Sequence, residues 1–226
     1  MAAPYYFAAL DLNHRRCVIV GGGAVAERKI HALLEAGADV TVISPEATEG
    51  IERYAASFEI TLFRRAYRFG DLEGAWLVVA ATDVREVNHQ VHGEASQRRL
   101  LLNTVDNLRE CNYVVPAVLN RGDVRIAISS GGQSPVLAQK ARDEIAKVIG
   151  PEYALLAEVL GSCRREVHQI LPSAPDRRAL WVQVAESDAL QLMKAGREAE
   201  VRQRILDWAH RLAARPVSPG ATGSES

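Results

Sequence analysis

Val18-Ile19-Val20-Gly21-Gly22-Gly23-Ala24-Val25-Ala26-Glu27-Arg28-Lys29 decides the fold. Three β-branched residues run into three glycines, and apolar residues then recur at helical spacing (Ala26, Ile30, Leu33, Leu34) until Gly37 stops them. The segment therefore reads strand, tight turn, helix, with G-x-G-x-x-A at the turn. In that arrangement Gly21 permits the turn, Gly23 lets the main chain approach a pyrophosphate, and Ala26 stands where helix and strand must pack closely. Unpaired N–H groups and the helix dipole would draw the anion to the first turn, at Ala24 and Val25. A glycine turn with no ligand has the same local pattern. The strand, helix and second strand around this one favour dinucleotide binding.

Outward from this turn, short apolar runs alternate with helical patterns. Val40 to Ile43 and Ile60 to Phe63 read as strands, and Trp76 to Ala81 as a strand buried on both faces. Val87, Val91 and Ala95 suggest a helix, and Leu100 to Val105 another strand. Such alternation predicts an α/β, Rossmann-like parallel sheet with helices on both faces over residues 1–112. The pattern changes over 113–150. Tyr113 to Leu119 and Val124 to Ser129 read as a strand pair around the turn Asn120-Arg121-Gly122-Asp123. Ser134-Pro135 then opens a helix with Leu137, Ala141, Ile145 and Val148 on one face, ended by Gly150-Pro151. Residues 151–214 read as a helical domain, with Leu156, Val159, Leu160, Cys163, Val167 and Ile170 as its first stripe. The Pro-, Gly- and Ser-rich stretch over 215–226 reads as a disordered tail.

Composition excludes more than it assigns. The chain has 226 residues, 48% hydrophobic and 24% charged, with a formal net charge of −1. No general basic field points to nucleic acid or a membrane surface, so an acidic ligand would need a local basic patch. Met1 to Leu12 has no basic n-region, and no apolar run approaches the roughly 20 residues of a membrane helix. Neither a leader nor a membrane span is expected. Cys17, Cys111 and Cys163 have no metal or redox spacing, which suits a reducing, cytoplasmic setting. The six histidines show no ligand pairing, and no metal site is expected.

The end of the second strand bears on the choice of cofactor. An acidic residue there commonly holds the ribose hydroxyls. Here Ser44, Pro45 and Glu46 occupy the place, leaving Glu46 or main-chain groups for that task. No basic residue stands ready for a 2′-phosphate, so NAD is favoured over NADP. Thr82 and Asp83, ending the Trp76–Ala81 strand, are expected to face the cofactor, with an N-cap role for Asp83 as the structural alternative.

Taken together, V-G-G-G-x-V-A-x-R-K (Val20 to Lys29), A-A-T-D (Ala80 to Asp83), N-x-V-D (Asn103 to Asp106), V-P-A (Val115 to Ala117) and S-S-G-G-x-S-P-V-L-A (Ser129 to Ala138) resemble the precorrin-2 dehydrogenase / sirohydrochlorin ferrochelatase family. That family includes the N-terminal part of bacterial siroheme synthases. The similarity runs over roughly residues 5 to 210, with S-S-G-G-x-S-P and N-x-V-D its most discriminating parts. It implies NAD-dependent oxidation of precorrin-2 to sirohydrochlorin, with ferrous iron insertion to siroheme in some members. It also implies a homodimer, with the β-β-α segment over 113–150 as dimerisation element. The fused bacterial enzymes carry a methyltransferase domain as well, and here methylation is expected of another protein.

The resemblance assigns residues too. Asp106 matches the family's proposed general base; by position alone, a turn aspartate capping its neighbours is the alternative. Asn103 is expected to touch the cofactor or steady the Asp106 loop. Ser130, Gly131 and Gly132 form a turn suited to anions ahead of a helix, and Ser130 matches a serine that can be phosphorylated in the family. A substrate with eight carboxylates needs cations, for which Arg109, Arg121 and Lys140 are candidates, with Arg15, Arg125 and Arg142 also considered. Two rivals are an NAD- or tetrapyrrole-sensing module without turnover and an oxidoreductase acting on another small molecule. The presence of Asp106 argues against the first, and the S-S-G-G-x-S-P element against the second.

Overall fold

The computed structural model describes residues 5–105 and 107–215. Residues 1–4, the expected base Asp106 and nearly all of the expected tail, 216–226, lie outside the described residues. Two compact units divide at the chain's middle, Met1–Val115 and Pro116–Ser226.

In the first unit the elements run β1 (Arg16–Val20), α1 (Ala24–Glu35), β2 (Asp39–Ile43), α2 (Glu49–Ala56), β3 (Ile60–Phe63), β4 (Leu77–Ala80), α3 (Arg85–Arg98), β5 (Leu101–Thr104) and a 3-10 turn at Leu108–Glu110. All five strands are parallel, in the order β3-β2-β1-β4-β5. This is the doubly wound arrangement expected from the sequence, with the order reversing beside β1. Alternate residues of each strand enter opposite cores. Cys17, Ile19, Val40, Val42, Leu77 and Val79 pack with Ala26, Ile30 and Leu33 of α1 and Ile51 of α2. Val18, Val20, Ile43, Val78 and Ala80 pack with Val91 and Ala95 of α3 and with Tyr67 and Leu72 from the β3–β4 connection.

That connection has no regular element and is held by two carboxylates, one of them Asp71, which accepts from Arg65 and from the Arg68 N–H. Glu94, on α3 and 1% exposed, accepts from the Tyr67 hydroxyl, from the Gly70 and Leu72 N–H groups and from Arg98 Nε. Helix α2 has no counterpart in the sequence reading. Its signals are present, since Thr48 caps it and Glu49 and Glu52 fill its first turn. Gly50 in that turn and a length of eight residues weaken the periodic pattern.

The second unit opens with an antiparallel pair, β6 (Ala117–Arg121) and β7 (Val124–Ile128), joined through Gly122 and Asp123 with Gly122 left-handed at φ 62°. β6 runs two residues further into the turn than expected, residues 113–116 stay outside it, and β7 begins at the expected Val124. Helix α4 (Pro135–Ala146) begins at the expected Ser134 cap and buries Ala138, yet Val136 is 74% and Leu137 60% exposed. Helices α5 (Glu152–Ile170), α6 (Ala174–Ala185), α7 (Ala189–Lys194) and α8 (Glu198–Ala213) follow. They share one core around Cys163, Val167, Leu180, Met193 and Ile205, into which the expected α5 stripe packs.

Candidate functional site

The carboxyl ends of β1, β2 and β4 meet at one place, where open α/β sheets bind ligands. A cavity of about 630 Å³ lies there, within the usual range for small-molecule sites. Its walls are the glycine turn with the start of α1 (Gly21 to Val25), the segment after β2 (Ser44 to Thr48) and the segment after β4 (Ala81 to Val84). Nine of the residues singled out in the sequence, Gly21, Gly23, Ala24, Val25, Ser44, Pro45, Glu46, Thr82 and Asp83, border it together.

The three glycines do different work. Gly21 is left-handed at φ 124°, and a Cβ there would stand 2.1 Å from the Ala81 carbonyl oxygen. Gly22 would place a Cβ 1.9 Å from the Glu46 oxygen and 2.8 Å from Ser44 Oγ. The turn is thus clamped between the other two walls, an arrangement completed by the Gly21 N–H donating to Ile43 and the Thr48 N–H donating to Gly22. Gly23 has nothing within 4 Å of a notional Cβ and an ordinary φ of −84°. No protein group demands a glycine there, and the open space lies at the mouth of α1.

The N-terminus of α1 is bare. Gly23 is its N-cap, and no side chain caps the first turn. In α2, α4 and α6 that service is given by Thr48, Ser134 and Ser173. The first-turn donors of α1 and the positive end of its dipole are left for an anion in the cavity. Gly23, Ala24 and Val25 are the residues that present this helix start to the cavity.

The second wall is tied to α1 by Thr48, whose Oγ1 donates to Glu27 Oε2 at 2.6 Å while accepting from the Ile51 N–H. In the third wall, Thr82 Oγ1 accepts from the Val84 N–H at 3.2 Å, and Asn88 Nδ2 donates to the Thr82 carbonyl at 2.8 Å. Val84, not Asp83, is the N-cap of α3, so the capping role weighed for Asp83 is not taken. Thr48, Gly22 and Asn88 are site-forming residues that sequence reasoning missed. Thr48 could have been found as a cap ahead of Glu49 and Glu52; Asn88 carries no such signal.

Asn103 stands on β5 and is not among the residues that border the cavity. Its Nδ2 donates to the Tyr113 carbonyl at 3.3 Å and lies 3.6 Å from Cys111 Sγ, so it braces the segment after β5. Cys111 also touches the Thr104 N–H and carbonyl and the Asn107 carbonyl. Burial holds its thiol above the usual range, and burial does the same for the Tyr113 phenol. Val105 and Asn107, the chain neighbours of Asp106, follow β5 at the carboxyl edge, with the Val105 N–H bonded to Ala80. Two side-chain oxygens among the described residues are buried without partners: Asn88 Oδ1 and Thr104 Oγ1.

The expected substrate grips separate into two kinds. Arg121 is engaged inside its own unit: Nε donates to Ile149, Nη2 to Ala146 and Nη1 to Asn120 carbonyls, holding the carboxyl end of α4. It is not a free cation. Arg142 pairs with Asp143, and Arg15 lies over the Trp76 ring at 4.0 Å. Arg109 and Lys140 are exposed. Ser130 and its glycines form the expected turn, with Gly131 and Gly132 left-handed, Ser129 Oγ accepting from Gly131 and Ser130 Oγ accepting from Ser134. These residues belong to the second unit.

Another hollow, of about 780 Å³, lies by Pro175, Val182 and Trp208 on the helical unit. It has no strand edge, and the helix starting beside it is already capped by Ser173. Among the described residues no group of three His, Cys, Asp or Glu could hold a metal ion, and no helix is long and apolar enough to cross a membrane.

Comparison with known proteins agrees with the geometry. Three family models match successive segments: an NAD(P)-binding model over residues 8–117, a sirohaem biosynthesis protein central model over 121–147 and a sirohaem synthase dimerisation region over 152–207. The chain is 32% identical over 197 residues to a siroheme synthase of Photobacterium profundum, covering 87% of this chain and 42% of that one. It is 37% identical over 193 residues to siroheme synthase 3 of Aeromonas hydrophila, covering 85% and 41%. The chain thus spans less than half the length of these relatives. Among solved structures, SirC, a precorrin-2 dehydrogenase, superposes with a TM-score of 0.78 at 26% identity over 90% of this chain and 100% of that one. A nicotinamide cofactor is what the first unit is built for.

Proposed function

Because the chain belongs to the siroheme synthase and precorrin-2 dehydrogenase family, we propose that it is an NAD-dependent dehydrogenase that converts precorrin-2 to sirohydrochlorin. The observation that carries this reading is the uncapped first turn of α1 beside the open face of Gly23. That cradle supports a pyrophosphate, on a chain similar over nine-tenths of its length to a precorrin-2 dehydrogenase. NAD, when bound, supplies the acceptor for the hydride that leaves the macrocycle. The protein's part is to hold the cofactor and take the accompanying proton.

In this scheme Gly21, Gly23, Ala24 and Val25 hold the pyrophosphate. Ser44, Pro45 and Glu46 flank the adenosine ribose, and Thr82 and Asp83 form the opposite wall. NAD rather than NADP is supported by Glu46 and by the lack of a basic residue among those lining the cavity, since a carboxylate there disfavours a 2′-phosphate. Asp106 is the proposed base, taking the proton as the C–H hydride departs. Asn103 steadies the segment beyond it. Ser130, Gly131, Gly132, Arg109 and Lys140 are the proposed contacts for substrate carboxylates.

Two chains working together are supported by the match to the sirohaem synthase dimerisation region and by the bare apolar side chains of α4. Three free cysteines suit a cytoplasmic setting. Ferrous iron insertion is the proposed second activity, with iron as substrate and the macrocycle nitrogens as its ligands.

The test is anaerobic: purified protein, NAD and freshly made precorrin-2, followed by ferrous iron. NADH with a sirohydrochlorin spectrum is expected first, then an enzyme-dependent shift to siroheme. Asp106→Asn is expected to bind NAD and form no NADH. Turnover by that variant at the wild-type rate would remove Asp106 from the mechanism, and no NADH from the wild type would remove the activity.

A further inference from the structure

We infer that Asn88 is a positioning residue for the cofactor, holding the third wall of the cavity in place at no gain in stability. The inference rests on the reading that this cavity takes NAD. Three observations carry it.

First, Asn88 governs the segment that forms this wall. Its backbone N–H donates to the Val84 carbonyl at 3.1 Å, and its Nδ2 donates to the Thr82 carbonyl at 2.8 Å. With Thr82 Oγ1 accepting from Val84, these bonds fix the turn from Thr82 to the start of α3, which no capping side chain on Val84 secures. Second, the wall bears directly on the glycine turn. A Cβ on Gly21 would stand 2.1 Å from the Ala81 oxygen and 3.0 Å from the Thr82 nitrogen, so the two walls are in contact with no slack. A displaced Thr82 carbonyl alters the width of the cradle itself.

Third, the carboxamide is only half satisfied. Asn88 Oδ1 is buried and accepts from nothing. An unpaired buried acceptor costs a desolvation penalty comparable to what one hydrogen bond returns. The Nδ2 bond and the orphaned Oδ1 therefore roughly cancel, and an alanine would fold about as well. A residue that contributes nothing net to stability, yet fixes the wall of the cofactor cavity, acts through the site.

The experiment compares wild type, Asn88→Ala and Asn88→Asp in the full chain, reading the thermal midpoint without NAD, the NAD dissociation constant by titration calorimetry, and KM against kcat. Asn88→Ala is expected to keep its midpoint within a degree or two while its NAD dissociation constant rises about tenfold, because binding must then supply the ordering of the wall that one well-made hydrogen bond supplies in the free wild type. The loss should fall on KM for NAD rather than on kcat. Asn88→Asp keeps the shape but turns an acceptor toward the Thr82 carbonyl. It should bind NAD more weakly still, because a carboxylate cannot donate to that carbonyl. Unchanged NAD affinity in Asn88→Ala overturns the inference. So does an affinity loss matched by a fall of several degrees in midpoint, which would mark a merely structural residue. Wild-type protein that binds no NAD overturns the inference together with the reading beneath it, whereas wild-type binding with an indifferent Asn88→Ala overturns the inference alone.

Discussion

Replacing each glycine of the turn by alanine in turn separates the fold from the ligand. At Gly22 the added methyl would meet the Glu46 carbonyl oxygen at 1.9 Å and Ser44 Oγ at 2.8 Å. The segment after β2 must move, and overpacking of this kind costs about 1–3 kcal/mol. At Gly21 the clash with the Ala81 oxygen, 2.1 Å, is joined by a left-handed φ of 124°, so the cost lies at or above the top of that range. At Gly23 the methyl meets nothing, and φ is ordinary. Alanine there gains about 0.4–1 kcal/mol by restricting the unfolded chain. It loses a comparable amount, about 0.5–1 kcal/mol, because alanine is a poorer N-cap than glycine. Gly23→Ala should therefore unfold in urea at the wild-type midpoint, while Gly21→Ala and Gly22→Ala unfold earlier. In calorimetry Gly23→Ala should nonetheless lose NAD binding by more than tenfold, because its methyl occupies the space where a pyrophosphate approaches the main chain. NAD binding by Gly23→Ala at wild-type strength would refute the cradle assignment. So would destabilisation equal to that of Gly22→Ala, since it would show Gly23 to be needed by the protein itself.

Three further outcomes follow from the packing. Glu94→Ala removes the acceptor shared by Tyr67, Gly70, Leu72 and Arg98 and leaves buried donors unmet, so urea unfolding should show a loss of about 3 kcal/mol, and a loss below about 1 kcal/mol would mean that the loop is held by other contacts. The Arg65 guanidinium beside Asp71 holds that carboxyl below its usual range, so the pair's stability is present above the ordinary aspartate pKa of about 3.9 and is lost as pH falls through the depressed value; the midpoint difference between wild type and Arg65→Met should be full at pH 7 and shrink by pH 3, and a difference independent of pH would contradict it. Cys17 is fully buried with its thiol pushed up to about 11, chiefly by burial, and Cys163 is also fully buried, so maleimide at pH 8 should reach half-buried Cys111 first, and labelling of Cys17 or Cys163 ahead of it would show that the cores open.

Much of the first unit was legible because its signals are local. Val18 to Val20 ahead of three glycines, and the unbroken apolar run into Ala80, are what a parallel strand buried on both faces must look like, and both strands stand where expected. The cavity walls followed, because residues at the ends of adjacent parallel strands are brought together by topology alone. Helix α2 was lost to its own brevity. The stripe on α4 was read correctly as helical, yet Leu137 and Val148 of it are exposed: periodicity reports which face is apolar, not whether this chain supplies what covers it.

Individual side chains were harder, and the reason is competition for hydrogen bonds. Arg121 was named as a substrate grip because a substrate with eight carboxylates needs cations, but the carbonyls of Ala146 and Ile149 that engage it lie 25 and 28 residues away in sequence and only the fold delivers them. Asp83 looked like a cap, yet Thr82 accepts from the Val84 N–H that opens α3. The same competition explains why the glycine turn could be read so far. Its function depends on donors that nothing in the chain claims, and a helix start with glycine in place of serine, threonine or aspartate advertises that vacancy in the sequence. Thr48 and Ser134, each capping its own helix, mark where donors are already taken. A capping residue is thus a sign against an anion site as much as a sign for a helix, and by that criterion α1 is the better anion site and the Ser129–Ser134 turn before α4 the more self-contained one.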